Sequence, residues 1–249
     1  MDSDSTQVMT RTGEFTFESA STPQWEAEVR ARLAACVHRF SGPLSDLIAR
    51  DANEGDTRML VADFLSEGLN YSKYGELTTE YRTSGESIDY GILLGDQVFA
   101  FVEVKQCGQE LDHRSLRPAK SQADKDGVEW VLLTNGRRWQ MHHIGAGETS
   151  GSGLVFDVDL LDAEEAQETL DLLFHLSREA VEDGRLDDLR RWREALVAEQ
   201  LADALLADTV VEAIRVEVRR RTEHAGHLGD ADDIVRTLRE DVIARGLLG

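Results

Sequence analysis

Apolar positions along the chain change period twice. Up to about Leu65 they recur every three or four residues. From Tyr71 to Val158 they alternate or run together, and after Leu161 helical spacing returns. In the first segment, Thr22-Pro23 opens a helix with Pro near its first turn. Trp25, Val29, Leu33 and Val37 form its apolar side, and Ser41-Gly42-Pro43 is expected to break it. A second helical stretch is expected from about Leu44 and a third from about Asn53. Met59, Leu60, Phe64 and Leu65 form the apolar side of the third, and Gly68 its stop. In the middle segment, Leu77–Arg82, Ser87–Leu94 and Gln97–Lys105 read as strands, with Gly95-Asp96 as a turn between the last two. Val98 to Val102 is almost wholly apolar, which predicts a central strand covered on both faces. Ser115–Asp126 reads as a helix crossing to a strand at Glu129–Thr134. Asn135-Gly136 is a hairpin turn into Arg137–Ile144, and a last strand spans Leu154–Val158. The final segment carries apolar stripes at Leu170, Leu173 and Phe174, at Leu189 and Trp192, and at Leu196, Leu201, Leu205 and Leu206. Asp208-Thr209 and Asp230 stand as helix caps.

This order predicts an α/β fold with a mixed central sheet, flanking helices and a helical C-terminal region. Residues 1–21 read as a mobile acidic tail, 22–160 as the α/β domain, and 161–249 as helices for oligomerisation or partner docking. A cap over the sheet is the third reading of those helices. At 249 residues the chain can bury a sizeable core. No apolar run approaches the ~20 residues of a membrane span, and the start lacks the pattern of a secretory signal. Cys36 and Cys107 lie far apart and form neither a metal-type pair nor a disulfide framework. A reduced, cytoplasmic protein is the expectation. Arginine outnumbers lysine and acids outnumber both, a pattern that suits either a salty cytoplasm or a GC-rich genome.

A net charge of −21 argues against nucleic acid, whose phosphates usually meet a basic field. The distribution softens this. Residues 101–150 hold seven acids and seven bases, whereas 151–200 hold fourteen acids and five bases. The neutral stretch contains the most informative residues, Glu103-Val104-Lys105, fourteen residues after Asp89. An Asp followed by Glu-x-Lys on the neighbouring strand offers two hard carboxylates to Mg²⁺ and an ammonium to orient water. Only four lysines occur, and Lys105 alone has an acid two positions before it. The bland alternative is a Glu103–Lys105 ion pair at an exposed strand end, with Asp89 solvated.

Geometry imposes a condition. Glu103 and Lys105 share a face of their strand. A strict two-residue turn at Gly95-Asp96 pairs Leu94 with Gln97 and sets Asp89 opposite Val102, placing the carboxylates on opposite faces. A three-residue turn or a bulge is therefore required, which residues Gly95–Gln97 permit. Facing carboxylates repel by several kcal/mol without a cation between them, which favours a metal.

The stretch from Glu54 to Ile144 resembles the N-terminal nuclease region of type I restriction-enzyme motor subunits, and small stand-alone relatives, within the PD-(D/E)xK superfamily. The residues that carry the resemblance are Glu54-Gly-Asp-Thr57-Arg58, Glu80-Tyr-Arg82, Ser87-Ile-Asp89-Tyr90-Gly91-Ile92, Phe101-Val-Glu103-Val-Lys105, and Gly127 through Thr134-Asn135-Gly136 to Trp139. The resemblance implies a restriction-endonuclease-like fold and Mg²⁺-dependent (or Mn²⁺-dependent) DNA endonuclease activity in defence against foreign DNA. It implies Asp89, Glu103, the Val104 carbonyl and Glu54 as metal ligands, Glu54 directly or through water, and Lys105 as the water-positioning residue. Those relatives carry Gln and then Tyr four residues later on the crossover helix. Here Gln122 is followed by Asp126, so Gln122 alone is carried over as a catalytic residue. No P-loop sequence occurs, so ATP-driven translocation would need a separate motor or specificity subunit. DNA is the expected partner, with a homo-oligomer through the C-terminal helices. The rival expectation is a catalytically silent nuclease-fold module that binds nucleic acid or protein.

Other residues carry less. His142 and His143 are adjacent on a strand, face opposite sides, and suit a surface role. His224 and His227 have no third ligand near. Trp139 is expected to pack rather than stack a base. Arg114, Arg117 and Lys120 could face phosphate or simply solvent, and nothing near Cys107 activates its thiol.

Overall fold

The structure, a computed structural model, describes residues 8–9, 15–16, 23–82, 87–145, 153–223 and 230–244. Most of the N-terminal tail and both His224 and His227 therefore lie outside the described residues. Within the tail, β1 (Val8–Met9) pairs antiparallel with β2 (Phe15–Thr16).

Helix α1 (Gln24–Ala49) follows Pro23 and runs without interruption through Ser41-Gly42-Pro43, where a break was expected. The reason is packing. Val29, Leu33, Cys36, Phe40, Leu44 and Leu47 are all buried and keep helical spacing across the proline. Pro43 and Gly42 lie on the exposed side, so the ring's steric cost and missing N–H fall where burial is not lost. Helix α2 (Glu54–Glu67) begins at Asn53, whose side chain accepts the Asp56 N–H at 3.0 Å, and ends at Gly68. Leu60, Val61, Phe64 and Leu65 are buried, but Met59 is 70% exposed and does not belong to the apolar side.

The sheet comprises β3 (Leu77–Arg82), β4 (Ser87–Leu94), β5 (Gln97–Val104), β6 (Trp130–Thr134), β7 (Arg138–His143) and β8 (Leu154–Asp159), in that spatial order. Every pairing is antiparallel except β5 with β6, which α3 (His113–Asp126) connects. A parallel pair needs such a crossover because the chain must return to the same end of the sheet. Asp112 caps α3 by accepting from the Arg114 and Ser115 N–H groups, and Gly127 ends it at φ 70°, a conformation glycine adopts without strain.

Both faces of the sheet are covered. Beneath α1 and α2 lies the larger cluster, including Tyr90, Ile92, Val102, Val104 and Trp139. Beneath α3 lie Ile88, Phe101, Leu116, Ala119, Val131 and Leu133. The larger cluster continues past residue 160 into α4 (Ala166–Phe174), α5 (Arg178–Glu182) and α6 (Arg185–Ala195) through Leu173, Phe174, Ala180 and Leu186. Beyond it stand α7 (Ala198–Leu205), α8 (Asp208–Thr222) and α9 (Ala231–Thr237), followed by a π-helical turn at Leu238–Ile243. Asp230 caps α9 as expected, while Asp208 lies inside α8 with Ala207 at the cap position. The whole is a mixed six-stranded sheet flanked by helices with further helices at the C-terminus, compatible with a restriction-endonuclease-like fold. No described helix is long and apolar enough to cross a membrane.

Candidate active site

The register problem is solved by a bulge. The Gly95-Asp96 turn is the tight one, pairing Leu94 with Gln97 and Leu93 with Val98. Between Ile92 and Leu93 the register shifts, so that Ile92 faces Ala100 and Tyr90 faces Val102. Phe99 is the extra residue on β5. Continued by one position, the shifted register sets Asp89 opposite Glu103, and Asp89 Oδ2 accepts the Val104 N–H at 2.8 Å. On β4, Ile88 packs under α3 whereas Tyr90 packs under α2, so Asp89 sits where the strand changes the face it buries.

Around this point charges converge. Lys105 Nζ donates to Glu103 Oε1 at 2.6 Å, and Arg58 Nη1 of α2 donates to Asp89 Oδ1 at 2.9 Å. The pair is not at an exposed strand end: the Glu103 and Asp89 side chains are 10% and 12% exposed. Burial pushes the Glu103 carboxyl above its usual range, Lys105 draws it back, and the Asp89 and Glu54 carboxylates push it up again. For Lys105, burial works against the charge, yet Glu103, Glu54 and Asp89 together raise its pKa above the ordinary lysine value. The four residues Glu54, Asp89, Glu103 and Lys105 thus lie within one electrostatic neighbourhood.

The backbone that carries them is tied down on three sides. The Lys105 N–H donates to the Thr134 carbonyl at 2.8 Å, extending the β5–β6 ladder. The Cys107 N–H donates to Thr57 Oγ1 on α2 at 3.2 Å, and Gln106 Nε2 to Asp51 Oδ1 at 2.8 Å. Asn135 Nδ2 reaches the Gln109 carbonyl at 2.7 Å, while its Oδ1 accepts from the Arg137 and Arg138 N–H groups. Gly136 holds that turn at φ 80°.

No family model matches this chain, and no curated protein matches it. Among solved structures it matches a cryo-EM structure of a DrdV–DNA complex. The match has 18% identity and a TM-score of 0.41, covering 87% of this chain and 21% of the other. This chain spans about a fifth of that chain's length.

The donor set fits a hard divalent cation in chemistry, because two mostly buried carboxylates face one another with a third close enough to be felt. It is not a closed cage. Among the described residues, no group of three or more His, Cys, Asp or Glu gathers closely enough to hold a metal ion. Glu54 sits at the start of α2 and is half-buried. Val104 turns its side chain into the core and offers its N–H to Asp89. Gln122 is fully buried on α3, yet neither amide atom has a hydrogen-bond partner among the described residues. A buried amide left unpaired costs about 1–3 kcal/mol.

The remaining candidates fall away from the site. His142 is buried at 4% exposure, not on the surface as expected. It lies opposite Val131, and the His143 ring meets Trp130 at 4.9 Å. Trp139 is fully buried against Phe64 and donates to the Gly136 carbonyl at 3.0 Å. Arg114 and Arg117 face solvent on α3, and Cys36 and Cys107 are free, buried thiols. The residue that went without a role in the sequence is Arg58. Its signal was its spacing, one helical turn after Glu54 on α2.

Proposed function

We propose that this chain is a metal-dependent deoxyribonuclease that hydrolyses DNA phosphodiester bonds in defence against foreign DNA. The observation that carries this reading is the bulge at Phe99, which brings Asp89 and Glu103 face to face with Lys105 bonded to Glu103. A bulge that corrects register beside a polar cluster is the kind of local departure that functional sites retain. Asp89 and Glu103 would hold Mg²⁺ or Mn²⁺, with Glu54 and the Val104 carbonyl as further oxygen donors. When bound, that ion neutralises phosphate charge and makes a neighbouring water more acidic. Lys105 orients the attacking water and stabilises the charge that builds on the phosphate. Gln122, whose amide has no hydrogen-bond partner among the described residues, would take part only through water or substrate.

DNA is the proposed substrate, a separate motor or specificity subunit the proposed partner, and the C-terminal helices the proposed oligomer contact. A second reading, a silent nuclease-fold module, has its own observation: Arg58 and Lys105 already neutralise the two carboxylates. Plasmid nicking separates them. Purified protein with Mg²⁺ or Mn²⁺ should nick supercoiled DNA, and Asp89→Ala or Lys105→Ala should lower the rate by about two orders of magnitude or more. Nicking that survives both substitutions removes the enzyme reading.

A further inference from the structure

A buried carboxylate needs a positive charge beside it, and Asp89 has found one in the protein itself. Arg58 Nη1 donates to Asp89 Oδ1 at 2.9 Å, so that oxygen is already engaged. The other oxygen is bound to the Val104 N–H. Arg58 is held in place through its backbone, since Tyr90 Oη donates to the Arg58 carbonyl at 2.8 Å. Its side chain is free to move by comparison: 37% of it is exposed, against 12% of Asp89. Glu54 lies one helical turn before it on the same face of α2 and also stabilises its charge. The guanidinium therefore has a buried anion on one side and open solvent on the other.

We propose that Arg58 is the resident counter-ion of the site. In the cation-free protein its guanidinium holds Asp89. It yields Oδ1 when a divalent ion enters, and it then turns outward to a phosphate oxygen of the DNA. This rests on the metal-dependent reading above and adds an ordered exchange to it. The exchange has a clear electrostatic logic. Divalent ion and guanidinium repel each other, so both cannot share Asp89 at close range. A planar fork released at the solvent side suits bidentate contact with phosphate. Each of the two mostly buried carboxylates has a cationic side chain bonded to it.

The test is calorimetric titration of Mn²⁺ into the wild type, Arg58→Gln, Arg58→Met and Asp89→Asn, with thermal melts to confirm folding. Removing the competing cation should tighten Mn²⁺ binding by about three- to tenfold in either Arg58 variant. Asp89→Asn should lose it. In a second arm, DNA affinity in Mg²⁺ is followed against salt for Lys105→Ala, in which cleavage should be strongly slowed, with and without Arg58→Gln. Loss of one phosphate contact should lower the logarithmic salt slope by about one. Unchanged or weaker Mn²⁺ binding in both Arg58 variants, with saturable binding by the wild type, overturns the counter-ion role and leaves the nuclease reading standing. Tighter Mn²⁺ binding with an unchanged salt slope overturns the phosphate contact. If neither the wild type nor the Arg58 variants bind Mn²⁺, the metal reading itself fails and takes this proposal with it.

Discussion

At the scale of single residues, arginine–carboxylate forks hold together parts of the chain distant in sequence. Arg32 on α1 meets Glu179 on α5 through two bonds of 2.9 Å, and also donates from Nε to the Gly68 carbonyl. Asn70 adds a third contact to the same carboxylate. Burial alone would raise the Glu179 pKa, but Arg32 and Asn70 outweigh it and hold it below the ordinary 4.5. A carboxylate whose pKa is depressed in the fold contributes stability above its unfolded value and loses it as pH falls through the folded one. Glu179→Ala should therefore cost about 1–2 kcal/mol at pH 7, with the difference from wild type shrinking below about pH 4. Urea unfolding at several pH values checks both the size and the direction. The Glu103–Lys105 pair differs in kind, because burial and two further carboxylates push Glu103 up rather than down. Such opposition between neighbouring groups is frequent at functional sites and also occurs in structural ion-pair networks.

At the scale of elements, the strands were legible because alternation and Gly95-Asp96 left few options. β4 begins and ends at Ser87 and Leu94, where the pattern placed it. The requirement for a three-residue turn or a bulge also followed from residue numbers alone, but which of the two it is, and where, did not. It falls beside Phe99 in mid-strand rather than at the turn, a choice made by side chains packing from two layers at once. The helix pattern misled at Ser41-Gly42-Pro43 for a related reason: local punctuation was overruled by a buried stripe running from Val29 to Leu47. Because Pro43 is exposed and makes no helical hydrogen bond to Arg39, Pro43→Ala should stabilise the protein by about 1–3 kcal/mol. The gain is reduced by the extra freedom alanine gives the unfolded chain. A denaturant midpoint that does not rise would show that α1 is already adapted to its proline.

At the scale of the whole molecule, charge is unevenly distributed along the chain. The chain carries −21, and residues 101–150, which supply Glu103 and Lys105, are formally neutral while Glu54 and Asp89 come from an acidic stretch, so under the proposed function DNA would meet less repulsion on the Glu103 side. Helix α7 has no buried residue, and Trp192, Leu196, Val197, Leu201 and Leu205 remain exposed. All of these but Val197 were visible as stripes in the sequence, but periodicity shows only that a helix has an apolar side, not what covers it. If a second copy covers it, Leu201→Glu with Leu205→Glu should shift sedimentation from dimer to monomer without changing the melt of the sheet domain. Unchanged sedimentation would assign the surface to another partner.

The central claim is that Asp89 and Glu103 act on one shared cation. The most direct measurement is calorimetric titration of Mg²⁺ into the wild type and into Glu103→Ala. Saturable binding of one ion by the wild type and its loss in the variant are expected. Equal heats from the two proteins, or no binding by the wild type, would contradict that claim.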